Sequence, residues 1–187
     1  LRYVDWSPDI DAAVDFRLDG IGRAYGPPTG FAGTRPFLLL NEMDDGRRRF
    51  VEAGADRGLT QSNPETDADE GKGLGLAVVD LDDDGDLDLI GANDTTPNAV
   101  WLNDGTGRFD EQGRRVGVAF DRSGSATGAM GIDVANRPAR DGVDLLVAIG
   151  NFANEPSSLF VRRAGESAFF DDAAGEGISG PSRRSLT

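Results

Sequence analysis

Short apolar runs broken by polar, glycine-containing turns recur along the 187-residue chain. Phe37–Leu40, Ala99–Leu102 and Ser158–Val161 are three such runs. Each precedes a turn, formed by Asp44-Asp45-Gly46, Asp104-Gly105-Thr106-Gly107 and Ala164-Gly165-Glu166. Two β-prone runs around a turn of this kind predict a hairpin. The return arms share one pattern: Phe, any residue, an acid, five residues, Gly, then a branched aliphatic. It occurs at Phe50-Val-Glu52 with Gly58-Leu59, at Phe109-Asp-Glu111 with Gly117-Val118, and at Phe169-Phe-Asp171 with Gly177-Ile178. The phenylalanines are 59 and 60 residues apart. Upstream lie two further matched pairs, Gly75–Val79 with Leu87–Asn93 and Gly131–Ala135 with Asp144–Asn151. In the middle copy the four strands fall near 75–79, 87–93, 98–103 and 107–112. A further strand is expected at Leu1–Trp6.

A repeating unit of four short strands points to the blades of a β-propeller, because a sandwich supplies regular strands without an internally registered repeat. The fold class expected is therefore all-β, with about three four-stranded blades of an incomplete propeller. The organisation reads as a partial first blade with a long insertion (1–60), an acidic loop (61–71), a second blade with a metal loop (72–118), a linker loop (119–127), a third blade with a degenerate loop (128–178) and a lead-in to the next blade (179–187). The chain has no starting Met and no signal peptide, and is expected to be an excerpt or a processed product. Trp6, Trp101, Phe37, Phe50, Phe109, Phe160 and Phe169 are assigned to packing between blades.

Composition narrows the function. With 33 acids against 19 bases the net charge is −14, which disfavours a nucleic-acid partner. Cysteine and histidine are both absent, excluding disulfides, Cys/His zinc sites and a cysteine nucleophile or histidine base. No apolar run approaches the roughly 20 residues of a membrane span. Eighteen of the bases are arginine, a side chain suited to bidentate carboxylate pairing. Arg47-Arg48-Arg49 reads as a solvated hairpin, Glu65, Asp67, Asp69 and Glu70 as an exposed acidic loop, and Asn93-Asp-Thr95 fits a glycosylation sequon.

The strongest chemical signal is Asp80-Leu-Asp82-Asp83-Asp84-Gly85-Asp86-Leu-Asp88. Six acids in nine residues repel one another unless a cation is bound. Asp80, Asp82, Asp84 and Asp88 are the side-chain ligands expected, with the backbone carbonyl of Asp86 as a fifth donor, and Gly85 permits the sharp turn. An all-oxygen set in a flexible loop suits Ca2+ better than Mg2+. Asp83 is expected to point outward. An EF-hand is excluded, because its bidentate Glu is replaced by Gly91 and the flanks are strands. In the next copy, alignment of Gly131 with Gly75 sets Asn136, Pro138, Arg140 and Asp144 opposite Asp80, Asp82, Asp84 and Asp88. That loop is expected to bind no metal, and Arg140 to pair with Asp144 or Asp141 or to face solvent.

The aspartate loop resembles the calcium loop of FG-GAP/VCBS repeats, and Asn98-Ala-Val-Trp-Leu-Asn-Asp-Gly-Thr-Gly-Arg-Phe resembles the hairpin that follows it in the VCBS type. A finer similarity is to the ASPIC/UnbV group, the cartilage-acidic-protein-like family. It is carried by the segment from Tyr25 to Glu42, by Met130-Gly-Ile-Asp-Val and by Gly150-Asn-Phe-Ala-Asn-Glu-Pro. This resemblance implies a calcium-stabilised propeller of about seven blades, secreted, periplasmic or at the cell surface. It implies an interaction or adhesion scaffold rather than an enzyme, with a protein or glycan partner. Asp80, Asp82, Asp84, Asp86 and Asp88 are the residues that carry over as metal ligands. The alternative is a calcium-dependent lectin-like propeller, which calls for an exposed Trp or Tyr beside the loop. A hydrolase using two carboxylates ranks last, for want of a distinctive pair.

Overall fold

The computed structural model describes residues 1–140 and 142–183, with the backbone alone over 137–140. In chain order the elements are α1 (Pro8–Val14), β1 (Arg17–Leu18), β2 (Gly22–Arg23), β3 (Leu39–Asp44), β4 (Arg47–Glu52), β5 (Gly73–Val79), β6 (Asp88–Asn93), β7 (Ala99–Asn103), β8 (Phe109–Glu111), α2 (Gly113–Val116), β9 (Ala129–Arg140), β10 (Val143–Asn151), β11 (Ser158–Arg163), β12 (Phe169–Asp171) and α3 (Ser179–Ser182). The fold is all-β with four antiparallel sheets. Two are four-stranded meanders, β5-β6-β7-β8 and β9-β10-β11-β12, and two are hairpins, β1-β2 and β3-β4. The first copy thus contributes its β3-β4 hairpin, and the two complete four-stranded units are the second and third.

The repeated acid closes each hairpin. Glu52 Oε1 accepts from the N–H groups of Leu38 (3.2 Å) and Gly54 (2.7 Å). Glu111 Oε1 accepts from Val100 (3.2 Å) and Gly113 (2.8 Å), and Asp171 Oδ1 from Leu159 (3.2 Å) and Ala173 (3.0 Å). One carboxylate thereby satisfies two backbone donors left over where the ladder ends. Glu111 is held above the usual carboxylate range by its burial, against the pull of those two donors.

The repeated glycine sets the spacing between units. Gly58 (φ 79°) and Gly117 (φ 86°) are left-handed, and a Cβ on either would collide with the carbonyl oxygen of the next copy's phenylalanine, Phe109 or Phe169. The aliphatic residue that follows enters the next sheet. Leu59 packs with Ala99 and Trp101, whose indole N–H donates to the Thr60 carbonyl at 2.8 Å. Val118 packs with Phe160 and Phe169 in the larger core, which Val79, Leu81, Ile90, Leu145, Val147 and Ile149 complete between the two four-stranded sheets. The opposite row of β5, Leu74, Leu76 and Val78, is exposed.

Three expectations need correction. Leu1–Trp6 forms no strand: Arg2 and Asp5 make single backbone bonds to Gly73 and Ala32, and Ser7 caps α1 through Ile10 N–H with Pro8 in its first turn. Trp101, Phe160 and Phe169 are buried as expected, but Trp6, Phe37 and Phe50 are exposed. Glu70 is buried and pairs with Arg114 at 2.5 Å, so it does not belong to an exposed loop.

Gly165 lies at φ 80° with open space around it. Gly165→Ala should therefore cost only the left-handed strain of about 1–2 kcal/mol. Gly117→Ala should cost about 1–3 kcal/mol more, because the next sheet must move. Equal urea midpoints for the two variants would show that the glycine contact does not set the stacking.

Candidate metal centre

The turn between β5 and β6 is built from both ends. Leu81 is buried in the core between the sheets and anchors the entry. Asp88 is fully buried at the exit, accepting Leu81 N–H at Oδ2 (2.8 Å) and Asn103 N–H at Oδ1 (2.8 Å). Between them Asp80 Oδ2 accepts Gly85 N–H (3.0 Å) and Asp84 Oδ1 accepts Asp86 N–H (2.8 Å). Asp83 and Gly85 take left-handed backbone, φ 64° and 94°, which folds the loop back on itself.

This folding brings Asp80, Asp82 and Asp88 together, each with an oxygen within 4.8 Å of the others. Asp84 stands outside that trio and braces the turn, and the Asp86 side chain lies against Gly105. Asp80 Oδ1 is buried and accepts no hydrogen bond. A buried carboxylate oxygen without a donor is costly, and a bound cation satisfies it. Burial, then the neighbouring Asp84 and Asp80 charges, hold the Asp82 carboxyl above its ordinary range. Burial does the same to Asp88 against its two N–H donors. The donors are all oxygen and their charge is uncompensated within the trio, so the residues fit a hard cation such as Ca2+.

Asp83 is exposed, as expected, and also makes a specific ion pair. Its Oδ2 accepts from Arg162 Nη2 at 2.9 Å. The third copy also differs in register from the alignment made on glycine. Val79 pairs with Asp88, whereas the matching Ala135 pairs with Leu146. The β9-β10 connection is two residues longer, so Leu146 occupies the place of Asp88 and Asp144 sits at a bulge before it. A long hairpin replaces the aspartate loop. Asp144 Oδ1 accepts from Arg162 Nε at 3.0 Å; the Arg140 side chain and Asp141, the other members of the expected pairing, lie outside the described residues.

A separate group of aromatics gathers away from the loop. Tyr3, Tyr25 and Phe152 line an open cleft of about 570 Å³ with Leu74, Asp94 and Glu155, and the Tyr3 hydroxyl donates to Asp94 Oδ2 at 2.5 Å. Leu74 is the second residue of β5 and Asp94 follows β6, so this cleft lies at the opposite end of those strands from the aspartate loop.

A family model described as an FG-GAP-like repeat matches residues 43–136, half of the chain, from the end of β3 through the aspartate loop to most of β9. The chain therefore belongs to the FG-GAP-like repeat family. No curated protein matches it. Among the described residues, no helix is long and apolar enough to cross a membrane.

Asp88→Ala should destabilise the protein by about 2–4 kcal/mol with or without metal, since two buried N–H groups lose their acceptor. A calorimetric loss under 1 kcal/mol would deny Asp88 that structural role. The pH response carries a second expectation. Asp82, Asp88 and Glu111 have raised carboxyl values, so the folded state binds protons more readily than the unfolded one. In chelator the melting temperature should rise as the pH is lowered toward the ordinary carboxylate range. A flat or falling profile would contradict the burial of these groups.

Proposed function

We propose that the chain is a calcium-stabilised segment of an extracellular β-propeller that works as a protein-interaction or adhesion scaffold, without catalytic activity of its own. The observation that carries the metal reading is the donorless, buried Asp80 Oδ1 at the meeting point of Asp80, Asp82 and Asp88. In this reading Asp80, Asp82 and Asp88 hold the ion directly, Asp84 and the Asp86 carbonyl complete its shell, and Leu81 keeps the loop seated in the core. Bound Ca2+ supplies the positive charge that the loop's own residues lack. The FG-GAP-like membership and the similarity to the ASPIC/UnbV group support a secreted, periplasmic or cell-surface setting and a parent propeller of about seven blades. The exposed row Leu74, Leu76 and Val78 supports further blades, since a neighbouring sheet is what covers such a face.

A second reading, glycan binding, draws on the cleft formed by Tyr3, Tyr25 and Phe152, where aromatic faces stand beside the Asp94 and Glu155 carboxylates. Its distance along β5 and β6 from the aspartate loop favours recognition without direct metal contact. A glycan array would separate the readings: binding that survives chelator and is lost in Tyr25→Ala selects the glycan reading.

Calcium titration tests the metal reading. Saturating Ca2+ should raise the melting temperature, in proportion to the logarithm of concentration above the dissociation constant. Asp80→Asn should lose most of that response while folding normally in chelator. An unchanged melting temperature in the wild-type protein would refute it.

A further inference from the structure

We propose that Arg162 is a second, built-in cation of the Asp80–Asp88 loop and a positioning residue that couples metal binding there to the docking of the following sheet. The proposal rests on the calcium reading above.

Strand register puts Arg162 where the preceding copies have asparagine. Asn41 pairs with Phe50, Asn103 with Phe109 and Arg162 with Phe169. Asn103 keeps its amide inside its own hairpin and turn, donating to the Leu87 carbonyl (3.2 Å) and accepting from Gly107 N–H (3.0 Å). Arg162 reaches across to another sheet. Nη1 donates to the Leu81 carbonyl, Nη2 to Asp83 Oδ2 (2.9 Å) and Nε to Asp144 Oδ1 (3.0 Å). The Arg162 side chain is only 5% exposed. A guanidinium buried that deeply requires its partners, and here all three nitrogens have them.

Two of those partners belong to the metal loop itself. Leu81 lies between the proposed ligands Asp80 and Asp82. Its N–H donates to Asp88 and its carbonyl accepts from Arg162, so one residue joins the metal side of the loop to the neighbouring sheet. Asp83, next to Asp82, is held in left-handed backbone with its carboxylate on Arg162. The loop thus faces two cations: a metal among Asp80, Asp82 and Asp88, and a guanidinium at Leu81 and Asp83. Ordering Asp80 and Asp82 around a metal orders the Leu81 carbonyl and Asp83 as well, and these are the groups Arg162 needs. Coupling of this sort is reciprocal, so docking of β9–β12 should in turn favour metal binding. The third copy has lost its own metal loop and gives its neighbour a charge instead, with Asp144 as the counter-ion on its own side.

Hydrogen–deuterium exchange on the whole chain, in Ca2+ and in chelator, tests this with wild type, Arg162→Met and Asp83→Asn. Asp83 is 69% exposed, so Asp83→Asn removes a charged partner while sparing the fold. In wild type, Ca2+ should slow exchange both in Val79–Asn93 and in Val143–Arg163, by roughly fivefold or more in the second segment. In both variants the slowing should persist in the first segment and shrink in the second. No calcium effect in either wild-type segment overturns the calcium reading and the coupling with it. Slowing confined to Val79–Asn93 in wild type overturns the coupling alone. Undiminished slowing of Val143–Arg163 in the variants overturns the role of Arg162.

Discussion

No four-stranded sheet of this chain buries both of its faces by itself, and its stability depends on how closely the next unit can approach. That approach is governed by a steric contact, the left-handed glycine of one copy against the phenylalanine carbonyl of the next. Gly58 and Gly117 allow backbone to meet backbone, and the aliphatic residue that follows is carried into the neighbouring sheet. At the inner strands Gly75 plays a similar part, since a Cβ there would press on Ile132 and the Met130 carbonyl. The apolar core between the four-stranded sheets follows from these approaches, and so does the seat that Leu81 finds in it.

The aspartate loop depends on that seat. Leu81 holds one end through core packing and Asp88 the other through two backbone donors, and the carboxylates of Asp80 and Asp82 stand close to that of Asp88. Desolvation, joined at Asp82 by the neighbouring Asp84 and Asp80 charges, raises the carboxyl values of Asp82 and Asp88. The donorless Asp80 oxygen lies in the same cluster. Arg162 supplies a positive charge on the outer side of the loop, at Asp83, away from the inner trio.

Much of this was legible in the sequence because it repeats. The Phe–acid–Gly register placed the hairpins, and the strands expected near 75–79, 87–93, 98–103 and 107–112 lie within two residues of those observed. The clustering of Asp80, Asp82 and Asp88 was legible because the spacing of acids in a tight loop is a local property. What escaped was non-local or accidental. The separation from Gly131 to Asp144 equals that from Gly75 to Asp88, yet a two-residue extension shifts the pairing and puts Leu146 at the position that mattered. Counting along a chain cannot see a bulge. Arg162 stands in the register position that Asn103 takes in the preceding copy, but its long side chain acts on another sheet, and residue order carries no signal for that reach. The helix at Pro8–Val14 did have a local signal, in Ser7-Pro8 followed by acids at Asp9 and Asp11.

The carboxylate that closes each hairpin does so with backbone donors alone: Glu52, Glu111 and Asp171 perform one task in all three copies. The acids that close the hairpins are thus distinct from the Asp80–Asp82–Asp88 cluster. The third copy has a plain hairpin in place of the acidic turn and still stacks on its neighbour. In such a repeat the acidic turn is free to vary from copy to copy, since the contacts by which the units fit together lie elsewhere.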